Sequence, residues 1–258
     1  MAIYHFNAVP VQRSKGHSAV ERAAQRSGTR LCDRQTMQTH NCRRNPGMVM
    51  AIILAPGHAP LWVYDREELW NRAEAAERRY NAQPAREIRL ALPHELTDEQ
   101  RTDLVFTYAR DIFVGAGMVA DISIHRPDRH SNDRNHYACI LLTMRELDGN
   151  QFARTKQRVW GKRETLRYWR EQWAAYQNRA LEEAGSDARV DHRTLEAQAL
   201  HRIATEHMGK AVTAMERKRI RTERGDINRE IAEGNRTLDT LVQALATIDE
   251  EIAVISKA

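Results

Sequence analysis

Apolar residues recur along this chain with two periods, one of two and one of three to four, and the switches between them mark out alternating strands and helices. Residues 2–9 read as a strand, residues 13–16 as a basic turn, and Ser18 followed by Glu21 has the spacing of a helix-starting capping box. Gly28 is a natural end for that helix, because a residue without Cβ tolerates the left-handed cap conformation. The apolar run at 48–54, framed by Pro46-Gly47 and Pro56-Gly57, predicts a strand buried on both faces. Residues 65–79 carry Leu69, Trp70, Ala73 and Ala76 at helical spacing. Residues 86–92 alternate Glu87, Arg89 and Ala91 against Ile88, Leu90 and Leu92, as a half-buried strand does. Thr97, with Glu99 and Gln100 behind it, starts a helix that runs to Gly115.

Residues 119–125 alternate again: Asp121, Ser123 and His125 share one face, and Ala120, Ile122 and Ile124 share the other, the core face. After a polar loop at 126–135, a strand at 136–145 sets Tyr137, Cys139 and Leu141 against Ala138, Ile140 and Leu142. Antiparallel pairing of these two strands brings His125 across from Tyr137 and Cys139. Beyond Trp160 the pattern is helical, over 164–184, as one or two helices over 195–218, and from 226 onward. In the last of these, Leu238, Leu241, Leu245, Ile248, Ile252 and Ile255 form the heptad seam of a coiled coil, which predicts pairing with another helix or a second copy. The expected division is a domain at 1–225 and a coiled-coil-like helix at 226–258.

Hydrophobic residues make up 41% of the 258 and charged residues 29%, which excludes a disordered or bilayer-spanning chain and allows one substantial domain with an appendage. There is neither an apolar stretch of bilayer length nor a signal-peptide pattern, so a cytoplasmic protein is expected. The odd set Cys32, Cys42 and Cys139 reads as reduced thiols. The net charge of +5 permits nucleic-acid binding. Arg154, Lys156, Arg158, Lys162, Arg163, Arg167 and Arg170, with Trp160 and Trp169 interleaved, suit phosphates and stacked bases, although the same composition describes a solvated helix face.

Several separate segments, in order over residues 1 to about 228, resemble the MobA/MobL family of plasmid mobilisation relaxases. They are MAIYHF, SAVERAAQRSGTRL, AREIRLALPHELT, ADISIHRPDRHSNDRNHYACILLTMREL, NRALEEAG, RVDHRTLEAQ and MERKRIRTERGDIN. The resemblance implies an α+β fold, with a palm-like antiparallel sheet, flanking helices and a helical C-terminal extension. It also implies nicking of one DNA strand at a transfer origin. In that reaction a tyrosine hydroxyl attacks the scissile phosphate, and a divalent metal held by three histidines polarises it.

This sequence departs from the pattern at the positions that carry the chemistry. Where the family has Ala-Ala-Tyr-Arg-Ser-Gly, this chain has Ala23-Ala24-Gln25-Arg26-Ser27-Gly28, so Gln25 stands at the nucleophile's place. Where the family has His, a loop and His-His-Ala-His, this chain has His125 and then His136-Tyr137-Ala138-Cys139. The implied metal set is therefore His125, Tyr137 and Cys139, a set more compatible with zinc than with magnesium or manganese. His136 falls on the opposite face and reads as structural. Glu87 is either a residue that orients a ligand or activates a nucleophile, or a strand carboxylate paired with Arg86 or Arg89. Tyr4 reads as an ordinary aromatic of the first strand. Candidate DNA contacts are Arg26, Arg129, Arg134, Lys156, Lys162 and Arg163.

Two accounts of the departures stand side by side: a relaxase fold that keeps DNA binding without transesterification, or a site rebuilt around Tyr137, Cys139 and another nucleophile. The partners expected are single-stranded or transfer-origin DNA and mobilisation accessory proteins. The reading from a different class is an interaction module that acts through its C-terminal helix.

Overall fold

A computed structural model describes residues 4–43, 47–127, 134–198 and 202–255. The chain forms two compact units, Met1–His192 and Arg193–Ala258, so the division falls ahead of the boundary expected at 225/226.

The first unit is built on a five-stranded antiparallel sheet of β1 (Phe6–Val11), β4 (Met48–Leu54), β5 (Ala85–Ala91), β6 (Ala120–His125) and β7 (Tyr137–Thr143), in the order β1-β5-β7-β6-β4. Short two-stranded ribbons of β2 (Arg30–Asp33) with β3 (Gln38–Asn41), and of β8 (Leu147–Asp148) with β9 (Gln151–Phe152), lie outside it. The period of two assigns each side chain a face. Ile88, Leu90, Ile122, Ile124, Ala138, Ile140 and Leu142 pack with α3 (Asp98–Tyr108) and α4 (Arg163–Glu183). Leu141, Ile53 and Ala85 pack on the opposite face with α1 (Ala19–Ser27) and α2 (Arg66–Ala75). The fold is α+β, a palm-like antiparallel sheet with flanking helices, and it continues into a helical C-terminal extension.

Local signals set the helix ends. The Ser18 side chain accepts from the Glu21 N–H at 3.4 Å, and Gly28 closes α1 at φ 63°. Thr97 and Gln100 form a reciprocal capping box at the start of α3, which runs into a π-helical turn at Ala109–Val114 before Gly115.

Three expectations are corrected. β4 is an edge strand with Val49, Met50 and Ile52 each 37% exposed, so its continuous apolar run marks a strand paired on one side only. β5 is buried on both faces except at Arg89 and the half-buried Ala91, because α1 covers the side that the alternation left open. Over 195–218 the only helix among the described residues is α5 (Gly209–Arg217).

In the second unit, α6 (Glu223–Ile255) holds the extended backbone at 202–206 through side-chain amides. Asn235 exchanges two hydrogen bonds with Ile203, and Asn228 exchanges two with Glu206. Of the expected seam, Leu238 is half-buried, while Leu241, Leu245, Ile248 and Ile252 are exposed; the side chain of Ile255 lies outside the described residues. No helix among the described residues is long and apolar enough to cross a membrane.

Candidate functional site

The odd-numbered positions of β5, β6 and β7 that face α1 gather most of the chemistry in the first unit. Register puts His125 opposite Tyr137, and Cys139 between Ser123 and Arg89. The His125 and Tyr137 rings stack with centroids 4.7 Å apart and planes 14° from parallel. The Arg89 guanidinium lies over the Tyr137 ring, 4.4 Å from its centroid. Because β7 runs between β5 and β6, the phenol ring is sandwiched between a cation and an imidazole. From α1, Arg26 Nε donates to Glu87 Oε1 at 2.5 Å, which ties the helix to the sheet.

Burial decides the protonation states here. His125 is 2% exposed and neither of its ring nitrogens has a hydrogen-bond partner among the described residues. Burial, with Arg26 and Arg89 nearby, pulls its pKa down to about 4, so the imidazole is neutral at neutral pH. Burial pushes the Cys139 thiol up to about 11, with Arg26 opposing and Glu87 reinforcing the shift, so the group stays protonated. Burial works against the charge of Arg26, but Cys139, Glu87 and Tyr137 together outweigh it and raise its pKa.

The metal implied by the resemblance does not fit these residues. No group of three or more His, Cys, Asp or Glu able to hold a metal ion forms among the described residues. Two guanidiniums stand beside the histidine, and the set offers one imidazole where the resemblance implies three.

The other predicted residues are placed as follows. Gln25 is half-buried on α1 and donates through Nε2 to Glu21 Oε1 at 2.9 Å, so its amide is engaged within its own helix. Tyr4 packs on the α3/α4 face and donates to the Arg170 carbonyl at 2.8 Å, and burial raises its pKa to about 12, so it is a protonated structural phenol. His136 is half-buried near Arg101, Asp98 and Arg126, away from His125.

Among the candidate DNA contacts, Arg129 lies outside the described residues and Arg134 is exposed just before β7. Lys162 and Arg163 are exposed at the start of α4. The Lys156 ammonium donates to the Gln83 carbonyl at 2.7 Å and pairs with Glu77 at 3.0 Å, in a network with Arg145. Trp160 and Trp169 are corrected, because both are buried, with carbonyls accepting from Arg86 and Tyr108, and present no stacking platform.

Two features escaped the sequence reading. Arg89 completes the sandwich, and its signal was the same alternation that singled out Glu87. Asp121, two steps along β6 from Ser123 and His125, is buried and accepts from both Nε and Nη2 of Arg66 and from the Trp70 indole at 2.8 Å, which anchors α2 under the site.

Comparison with known proteins gives a consistent result. The MobA/MobL family matches residues 17–218. Mobilization protein MobL of Acidithiobacillus ferridurans is 34% identical over 252 residues, covering 84% of this chain and 65% of that protein. Mobilization protein A of Escherichia coli is 32% identical over 270 residues, covering 97% of this chain and 35% of that protein. A solved structure described as the molecular basis of vancomycin resistance transfer in Staphylococcus aureus superposes with a TM-score of 0.69 at 32% identity, over 75% of this chain and 100% of that one. The chain thus spans about two thirds of one of these curated relatives and about a third of the other.

Proposed function

This chain belongs to the MobA/MobL family, and from that premise we propose that it binds single-stranded transfer-origin DNA in plasmid mobilisation, on the sheet face beneath α1. The observation that supports this reading is the cluster of Arg89, Tyr137 and His125 on one face of three adjacent strands, with Arg26 reaching it from α1. Arg134, Lys162 and Arg163 add exposed cations for the rest of the backbone. The protein works where plasmid DNA is, in the cytoplasm, alongside mobilisation accessory proteins. Strand cleavage through a tyrosine of α1 is not part of this function, because an amide at Gln25 cannot form a phosphotyrosine ester.

Fluorescence anisotropy with a labelled single-stranded oligonucleotide tests the binding. Each neutralised phosphate contributes about 0.7 to the slope of log affinity against log salt for single strands. With about three contacts, affinity falls roughly tenfold to twentyfold between 50 mM and 200 mM salt. Salt-independent binding, or no binding to any DNA, would overturn the reading.

A second reading draws on the exposed seam of α6, where Leu241, Leu245, Ile248 and Ile252 are 49–60% exposed. It makes this helix a recruiting surface for a second copy. Light scattering on the chain with and without residues 226–258 is expected to show a dimer that becomes a monomer on truncation; equal masses would sink this idea.

A further inference from the structure

We propose that, where the resemblance places a metal, this chain instead holds a phosphate of single-stranded DNA with a guanidinium site, formed by Arg26 and Arg89 around the buried ring of His125. This site rests on the DNA-binding reading above.

The first observation is His125 itself. Its side chain is enclosed, yet neither Nδ1 nor Nε2 meets a partner among the described residues. A neutral imidazole carries one N–H donor and one acceptor, and leaving both unmet in a buried setting is costly unless a ligand meets them. A phosphate oxygen accepts from that N–H. A metal-binding histidine commonly gives its other nitrogen to a carboxylate or carbonyl that fixes the ring, and His125 has no such group among the described residues.

The second observation is the charge around the ring. Arg26 is held by Glu87, which fixes its position while sharing its charge. Arg89 is exposed, forms no ion pair among the described residues, and is steadied by the Tyr137 ring beneath it. Glu87 is the one carboxylate paired into this group of two guanidiniums, so the cluster keeps a positive excess. That excess repels a divalent cation and attracts a phosphodiester, and a planar guanidinium matches two phosphate oxygens at once. Tyr137, covered on both faces, acts as the spacer that sets the distance between Arg89 and His125.

The test measures, on the full chain, both metal content and affinity for a fluorescein-labelled single-stranded oligonucleotide. After dialysis the protein is expected to carry no stoichiometric zinc, manganese or magnesium, and a chelator is expected to leave affinity unchanged. Arg89→Gln, at an exposed position, is expected to keep the melting temperature, weaken binding about tenfold and flatten the salt slope by roughly 0.7. Arg89→Lys is expected to retain the slope. Chelator-sensitive binding, stoichiometric metal, or Arg89→Gln binding as tightly as the unmodified chain would overturn the site while leaving DNA binding in place. An unmodified chain that binds no DNA would overturn the underlying reading and the site with it.

Discussion

Asp121→Ala is expected to destabilise the first unit by about 3 kcal/mol, because it removes one side of a buried ion pair and leaves the other uncompensated. The Asp121 carboxylate accepts three hydrogen bonds from Arg66, at 2.9 to 3.0 Å, and one from the Trp70 indole N–H. Its side chain is 3% exposed and that of Arg66 is 15% exposed. Burial pushes the Asp121 carboxyl above its ordinary range, against the opposing pull of Arg66 and Trp70, so the pair is held by mutual satisfaction rather than by a surplus of attraction. Alanine leaves a guanidinium and an indole N–H of α2 without their acceptor, and each carries a desolvation penalty. The double change Arg66→Met/Asp121→Leu removes both charges and is expected to recover most of the loss. Urea unfolding of the three proteins measures this. A loss below about 1 kcal/mol for Asp121→Ala would show the pair to be peripheral to stability.

The sequence shows which side chains share a face far better than what covers that face. The period of two in 119–125 and 136–145 placed His125 opposite Tyr137, and the register agrees. That pattern is local, since neighbouring side chains on a strand must point to opposite sides. Whether a face is covered depends on elements distant in the chain. The alternation therefore left Glu87 open between a site residue and a surface carboxylate, whereas α1 reaches over it and Arg26 is its partner. The apolar run at Met48–Leu54 failed for the same reason in reverse, because nothing local says that the strand has a neighbour on one side only. The tryptophans of the basic run were misread because composition gives spacing but not direction, and Trp160 ahead of α4 and Trp169 within it are both buried. The capping pattern at Ser18 was half legible: serine caps the helix, but the Glu21 carboxylate accepts from Gln25. This last contact ties the position of the absent tyrosine to its own helix.

Incubated with a fluorescent single-stranded transfer-origin oligonucleotide, the unmodified protein is expected to give a bound species and no SDS-resistant adduct, with or without added manganese, magnesium or zinc. Transesterification needs an oxygen nucleophile, a group to accept its proton and an electrophile on the phosphate. At the position of the nucleophile stands Gln25, with its amide donated to Glu21. The nearest carboxylate on the sheet, Glu87, is engaged by Arg26. Of the two phenols nearest in the sequence pattern to the altered site, Tyr4 is bonded to the Arg170 carbonyl on the far face and Tyr137 is packed between His125 and Arg89. Gln25→Tyr restores only the first requirement, so it is expected to form no detectable adduct by itself. Combining it with Tyr137→His and Cys139→His supplies three imidazoles on adjacent strands, and this triple variant with manganese is expected to become covalently labelled. An adduct from the unmodified chain would locate a nucleophile elsewhere and make the altered positions a rebuilt active site. An adduct from Gln25→Tyr alone would mean that Arg26 and Arg89 suffice as the electrophile, so that the change at Gln25 by itself separates a binding protein from a nicking one.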